Sequence, residues 1–245
     1  MFRNIPPITK NLIIINAIVW LAMVLLPGMD LDAIGGLHYI SSPDFRPWQC
    51  VTYMFMHSST SISHIFFNMF GLLMFGSTLE RVFGPTRFLF FYMTVGIGAG
   101  LVQECIYAVW ISHLASQLPD GLLLSQVVEE GYNALSYGMN FSDPTLSKLN
   151  MLINVPTIGA SGALYGVLLA FGMIFPNMPL YLFFVPVPIK AKWMVLGYGV
   201  IELFLGVTGM QSGVAHFAHL GGMIVAFLLI IYWRKKGVIN NEPLY

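Results

Sequence analysis

Residues 156–175 read PTIGASGALYGVLLAFGMIF. After one proline the run turns small and then apolar, with no charged residue, the pattern of a helix entering a membrane. Gly159 and Gly162 flank a lone hydroxyl, Ser161, at the mouth of that helix. Polar groups inside a bilayer are costly and face the bundle or a cavity, so Ser161 directs attention to the rest of the chain.

The whole chain has the same character. Of 245 residues, 57% are hydrophobic and 9% charged, against about 25% charged in a soluble domain. This points to a polytopic, all-α membrane protein forming one domain over residues 1–245. Net charge is zero and no basic stripe is present, which argues against nucleic-acid binding. Cys50 and Cys105 have no CxxC or Cys/His metal spacing. Six segments qualify as spans: roughly 10–27, 61–80, 87–110, 159–176, 190–208 and 214–233. The first and fourth are short. No small-residue cleavage site follows the first, which reads as a retained span rather than a signal peptide.

Charge sets the orientation. With six spans, Arg3, Lys10, Arg81, Arg87, Lys190, Lys192, Arg234, Lys235 and Lys236 share one side, leaving Arg46 and Lys148 on the other. Positive residues stay inside, so both termini are expected in the cytoplasm. Two long segments then face outward, 28–60 and 111–158. The first holds PDFRPWQCVTYMFMH, turn signals mixed with aromatics, and is expected to dip partly into the interface. The second is expected to form one or two short amphipathic helices within DGLLLSQVVEEGYNALSYG, with SDPT as a break. The inner linker PNMPLYLFFVPVPIK carries four prolines and cannot be one helix.

Five intramembrane polar residues fall near the outer ends of their spans. His64 and Asn68 share a face of the second, His216 and His219 a face of the sixth, and Ser161 opens the fourth. A serine becomes a nucleophile when a base takes its proton, and histidine is the usual base. A helix start adds unpaired N–H groups and a positive dipole end for an oxyanion. Each residue also has a plainer explanation. The small residues of GASGALYG suit close helix packing, His64 with Asn68 suits an interhelical hydrogen bond, and His219 suits a buried structural role. Glu104 and Glu202 lack a basic partner in their own spans and admit an ion-transport reading, although no internal repeat supports it. Glu80 beside Arg81 reads as a solvated or helix-end pair. A zinc site from His64, His216 and His219 would lack both HExxH and a neighbouring carboxylate.

Together the motifs resemble the rhomboid intramembrane serine proteases. GASGALYG (159–166) is similar to the family's GxSG, HIFFN (64–68) to its HxxxN, AHLGG (218–222) to its sixth-helix motif, and LERVFGPTRFLFFY (79–92) to its second-to-third-helix junction. The likeness covers about residues 45 to 233. It implies Ser161 as nucleophile and His219 as general base and acid. His64, Asn68 and the Ser161 N–H would hold the oxyanion, with Gly159 lining that site and Tyr165 packing on the imidazole. It further implies a dyad with no third acidic member, no cofactor, no metal, and single-span membrane proteins as substrates, cleaved near the outer face of the bilayer. Two departures stand out. Gln49 follows Trp48 where the family often has arginine, and the sixth helix carries Gly222 and Ala226 in place of GxxxG. The 111–158 segment would shape substrate access or cover the site. Span 5 (Trp193–Gly206) and the loop VTGMQSG are the expected moving elements, and a bacterial inner membrane is the expected location. The main rival is a catalytically inactive relative that binds membrane clients.

Overall fold

The computed structural model describes residues 5–181, 187–209, 214–239 and 244. In chain order its helices are α1 (Pro7–Leu25), α2 (Leu31–Gly35), α3 (Gln49–Thr52), α4 (Ile62–Gly71), α5 (Ser77–Phe83), α6 (Pro85–Ala115), α7 (Leu124–Ser136), α8 (Pro144–Asn154), α9 (Ser161–Ile174), α10 (Ala191–Thr208) and α11 (His216–Lys235). A π-turn over Leu72–Gly76 joins α4 and α5 into one rod. The only strands among the described residues are a two-residue antiparallel pair, Pro179–Leu180 with Ile189–Lys190.

Among the described residues, five rods are long and apolar enough to cross a bilayer: α1, α4–α5, α6, α10 and α11. The protein is a multi-pass, all-helical membrane protein, and its lipid-facing surfaces carry exposed Ile18, Phe66, Phe90, Val200, Phe204 and Leu228. Helix α9 is different. At 1.5 Å per residue its fourteen residues reach about 21 Å, short of the roughly 30 Å hydrocarbon core. Ten of the fourteen are buried, because α9 runs up the middle of the bundle against α6, α10 and α11.

Small residues make that position possible. A Cβ on Gly166 would stand 2.8 Å from the Gly222 carbonyl oxygen and 3.1 Å from the Ala226 Cβ. A Cβ on Gly222 would run into the carbonyl of Gly162. Gly222 and Ala226 of α11 thus lie directly on Gly162 and Gly166 of α9, a small-xxx-small contact on both sides. At the end of the bundle away from Ser161, Phe83, Phe88, Phe91, Tyr92 and Trp233 close the core.

Glu80 is not a solvated helix-end residue. It is 2% exposed, and its carboxylate accepts from the Ile8 N–H at 2.9 Å, the Thr9 N–H at 2.7 Å and the Thr9 hydroxyl at 2.8 Å. These are first-turn donors of α1, which opens on Pro7 with no side-chain cap of its own. A carboxylate from another helix fills that place and meets the positive end of the α1 dipole.

The long segments 28–60 and 111–158 are built as well. Within 28–60, Leu37, Tyr53 and Met54 are buried in the bundle. Leu37 exchanges two backbone hydrogen bonds with Thr157, and the Gly159 N–H donates to Tyr53 O at 2.9 Å. The chain just before Ser161 is therefore strapped to the first outer segment. Gln49 organises that segment. Fully buried, it accepts from the Arg46 N–H at 3.1 Å and donates to Ala33 O at 3.1 Å and Asp44 O at 2.9 Å. One amide does the bridging at the place where the family often has a guanidinium. Gln49→Ala removes the side-chain partner of three backbone groups in part-buried surroundings and should destabilise by about 1–2 kcal/mol, read as a lower midpoint of thermal unfolding in detergent. An unchanged midpoint would show that water takes over all three bonds.

Between 111 and 158 the chain forms two short helices, α7 and α8, on a small core of Ile111, Val127, Leu149 and Ile153. SDPT starts the second of them: the Asp143 side chain caps α8 by accepting from Thr145 and Leu146 N–H. Asn150 and Asn154 donate to Gly131 O and Val128 O, pinning α8 to α7. Of the expected moving elements, α10 is described, whereas residues 210–213 of VTGMQSG lie outside the described residues, as do 182–186 of the inner linker.

Candidate active site

Ser161 is the first residue of α9, so its N–H and the next two lack intrahelical partners. His219 lies in the first turn of α11 and His64 in the first turn of α4. The three meet at the floor of a cavity of about 660 Å³ that Asn68, Tyr165 and Tyr107 also line. Met151, Leu152 and Val155, at the end of α8 and just beyond, form part of its wall, so the 111–158 segment borders the site.

His219 Nε2 is 2.7 Å from Ser161 Oγ. The Tyr165 ring lies flat against the imidazole, centroids 4.2 Å apart and planes 6° from parallel. One turn separates Tyr165 from Ser161 along α9, so the helix that carries the hydroxyl also carries the plate that holds the base.

His64 is half-buried, and its Nδ1 accepts from the Ser58 N–H at 3.3 Å. That bond assigns the neutral ring's proton to Nε2. Nε2 in turn faces Gly159: a Cβ there would sit 2.8 Å from it and 3.5 Å from Ser161 Oγ. Gly159 also has φ +127°, a conformation side chains disfavour. Both reasons require glycine at this point, and together they keep an open space between a donor and the hydroxyl. Asn68 is buried, and its amide donates to His64 O at 3.0 Å, leaving one N–H of that amide for another acceptor. All six residues singled out in the sequence thus surround one cavity or border it.

Two neighbours are not evident from the sequence motifs. His57 is fully buried, its ring centroid 5.0 Å from that of His64. Burial, and then the neighbouring His64 ring, push its imidazole down to about 4, so it packs there uncharged. The second is Glu202 of α10. The sequence suggests no carboxylate beside His219, because none exists in its own span. The fold supplies one from the next helix, with Glu202 Oε2 3.0 Å from His219 Nδ1 and 2.6 Å from His216 Nδ1. The signal was the acid itself, since a buried intramembrane carboxylate requires a partner; the partner is fourteen and seventeen residues away in sequence.

Glu202, His216 and His219 each offer a ligand atom within 4.8 Å of the others, a donor set chemically suited to Zn²⁺. It differs from the three-histidine set considered from the sequence, with Glu202 in the place of His64. A cation held there would engage the imidazole that faces Ser161.

Comparison with known proteins places the chain in a family. Residues 44–236 match the Rhomboid domain family. The chain is 32% identical over 187 residues to RHOMBOID-like protein 12, mitochondrial, of Arabidopsis thaliana, covering 76% of this chain and 46% of that protein. It is 27% identical over 172 residues to Rhomboid protein 1, mitochondrial, of Saccharomyces cerevisiae, covering 70% and 38%. It is 29% identical over 101 residues to Rhomboid protease GlpG of Haemophilus influenzae, covering 40% and 50%. The chain thus spans about half or less of the length of these relatives. The mitochondrial relatives leave the expected bacterial inner membrane without support. With the family match running from the first outer segment through the end of α11, the chain belongs to the rhomboid family.

Proposed function

We propose that this protein is an intramembrane serine endopeptidase that cleaves single-span membrane proteins near the outer end of its bundle. The observation that carries the proposal is the 2.7 Å contact between Ser161 Oγ and His219 Nε2 at the floor of an open cavity. Protease-named relatives, GlpG among them, support the same class of chemistry.

In this reading His219 Nε2 takes the Ser161 proton as Oγ attacks the scissile carbonyl. The His64 Nε2–H, the free Asn68 N–H and the Ser161 backbone N–H converge on the developing oxyanion. His219 then gives its proton to the leaving amine, and water releases the acyl group. A peptide bond inside an intact helix is shielded, so the substrate span must unwind at the cavity. The nine basic residues on one side support an orientation with both termini inside and the cavity opening outward.

The test is reconstitution in proteoliposomes with a tagged single-span substrate, alongside labelling by a serine-directed phosphonate. Cleavage together with a phosphonate adduct mapped to Ser161 is expected. Substrate capture with neither cleavage nor adduct would overturn the proposal in favour of a client-binding relative. Asn68→Ala should lower kcat by about 10²–10³-fold with KM little changed, the usual loss for one oxyanion donor. An equal rise in KM would instead assign Asn68 to substrate binding.

A further inference from the structure

We infer that Glu202 is a positioning residue that converts the Ser161–His219 pair into a Ser–His–Glu triad assembled across α9, α11 and α10; the inference rests on the protease reading above. His219 Nδ1 is buried, and among the described residues Glu202 Oε2, at 3.0 Å, is the one acidic group it reaches. The two atoms are in contact but not aligned as a hydrogen bond, so Glu202 meets the neutral ring as a nearby negative charge. The order of atoms is the one a triad needs: hydroxyl on Nε2, carboxylate on Nδ1.

The carboxylate is itself held. The Tyr165 hydroxyl donates to Oε1, and His216 Nδ1 lies 2.6 Å from Oε2. The Glu202 and His219 side chains are 7% and 8% exposed, so water screens the pair little. Tyr165 has two tasks. Its ring orients the imidazole from the face, and its hydroxyl orients the carboxylate that orients the imidazole from the edge.

The chemistry balances without moving a proton to Glu202. As the Ser161 Oγ–carbon bond forms, the hydroxyl proton passes to Nε2 and His219 becomes an imidazolium. Its Nδ1–H stays on the ring beside the ionised Oε2, which stabilises the positive charge at the moment it appears. When the C–N bond breaks, the Nε2 proton goes to the amine. In deacylation a water proton takes the same route, and Ser161 recovers it. Glu202 remains a carboxylate throughout and fixes the tautomer in which Nε2 is free to accept.

A purely structural alternative makes Glu202 only the buried partner of His216. Kinetics separate the two. In proteoliposomes, Glu202→Gln should lower kcat by about 10²–10⁴-fold, leave KM little changed, and slow phosphonate labelling of Ser161 in parallel. Glu202→Asp keeps the charge but shortens its reach to His219 by one methylene, and should fall between Glu202→Gln and wild type. If Glu202→Gln unfolds, Glu202→Asp decides: reduced kcat at a wild-type thermal midpoint supports the triad, and wild-type kcat overturns it. Active wild type with wild-type kcat and labelling in both variants would remove Glu202 from the mechanism while leaving the protease reading intact. A wild type that neither cleaves nor takes label would remove both.

Discussion

Ser161→Ala and His219→Ala should each reduce cleavage by about 10⁵–10⁶-fold, and the double variant should lose no more than either single one. Residues that act as a unit show such non-additivity, because either half alone leaves nothing for the other to do. The 2.7 Å contact makes them a unit here. Without the imidazole the hydroxyl keeps its proton; without the hydroxyl the imidazole has no nucleophile to activate. The measurement is initial cleavage rate in proteoliposomes, with thermal unfolding checked for each variant. Ser161 is only partly buried and loses just an oxygen, so Ser161→Ala should keep its fold. Equal cleavage by wild type and both variants would assign the activity to a contaminant. A double variant much slower than either single one would mean the two residues act in separate steps.

The candidate site was legible in sequence because depth in a membrane can be counted. Ser161, His64 and His219 all follow the start of a span by a few residues, and alternate helices that cross the same slab must bring such positions to one level. Lateral contact cannot be counted in that way. Glu202 sits near the end of α10, and nothing in its own span predicts that it faces α11. Only the packing of α10 against α9 and α11 reveals it. The same limit explains Glu80. Its neighbour in sequence is Arg81, but its hydrogen bonds reach more than seventy residues back to α1. Gln49 shows the reverse case. The departure from the family pattern was visible, and the fold shows what the glutamine does in that place, bridging backbone groups of the outer segment. The two long segments were legible to different degrees. Short helices and a break at SDPT were expected in 111–158 and are found as α7 and α8, whereas nothing in the turn-rich 28–60 stretch announces the backbone strap from Leu37 and Tyr53 that fixes the approach to Ser161.

That dependence of chemistry on packing leads to the second large effect, at a residue that touches no substrate. Gly222→Val should abolish cleavage and destabilise the bundle by at least about 3 kcal/mol. Any Cβ at 222 meets the carbonyl of Gly162, and backbone inside a helix has no rotamer with which to yield. Helices α9 and α11 must therefore separate. Gly162 is the residue after Ser161, and His219 is less than one turn before Gly222, so the separation acts directly on the Oγ–Nε2 contact. A displacement of about 1 Å from productive geometry costs on the order of 10²-fold in rate, before any loss of stability is added. Gly197→Ala of α10 is the matched control. Its added Cβ would find nothing within 4 Å, and alanine favours a helix over glycine by about 1 kcal/mol. It should leave cleavage intact and hold or raise the unfolding midpoint. Gly222→Ala should resemble Gly222→Val rather than the control, since the first added carbon already makes the collision. Wild-type cleavage by Gly222→Ala would show that α9 and α11 stand further apart than this packing requires, and that the serine and histidine are held together by something other than glycine.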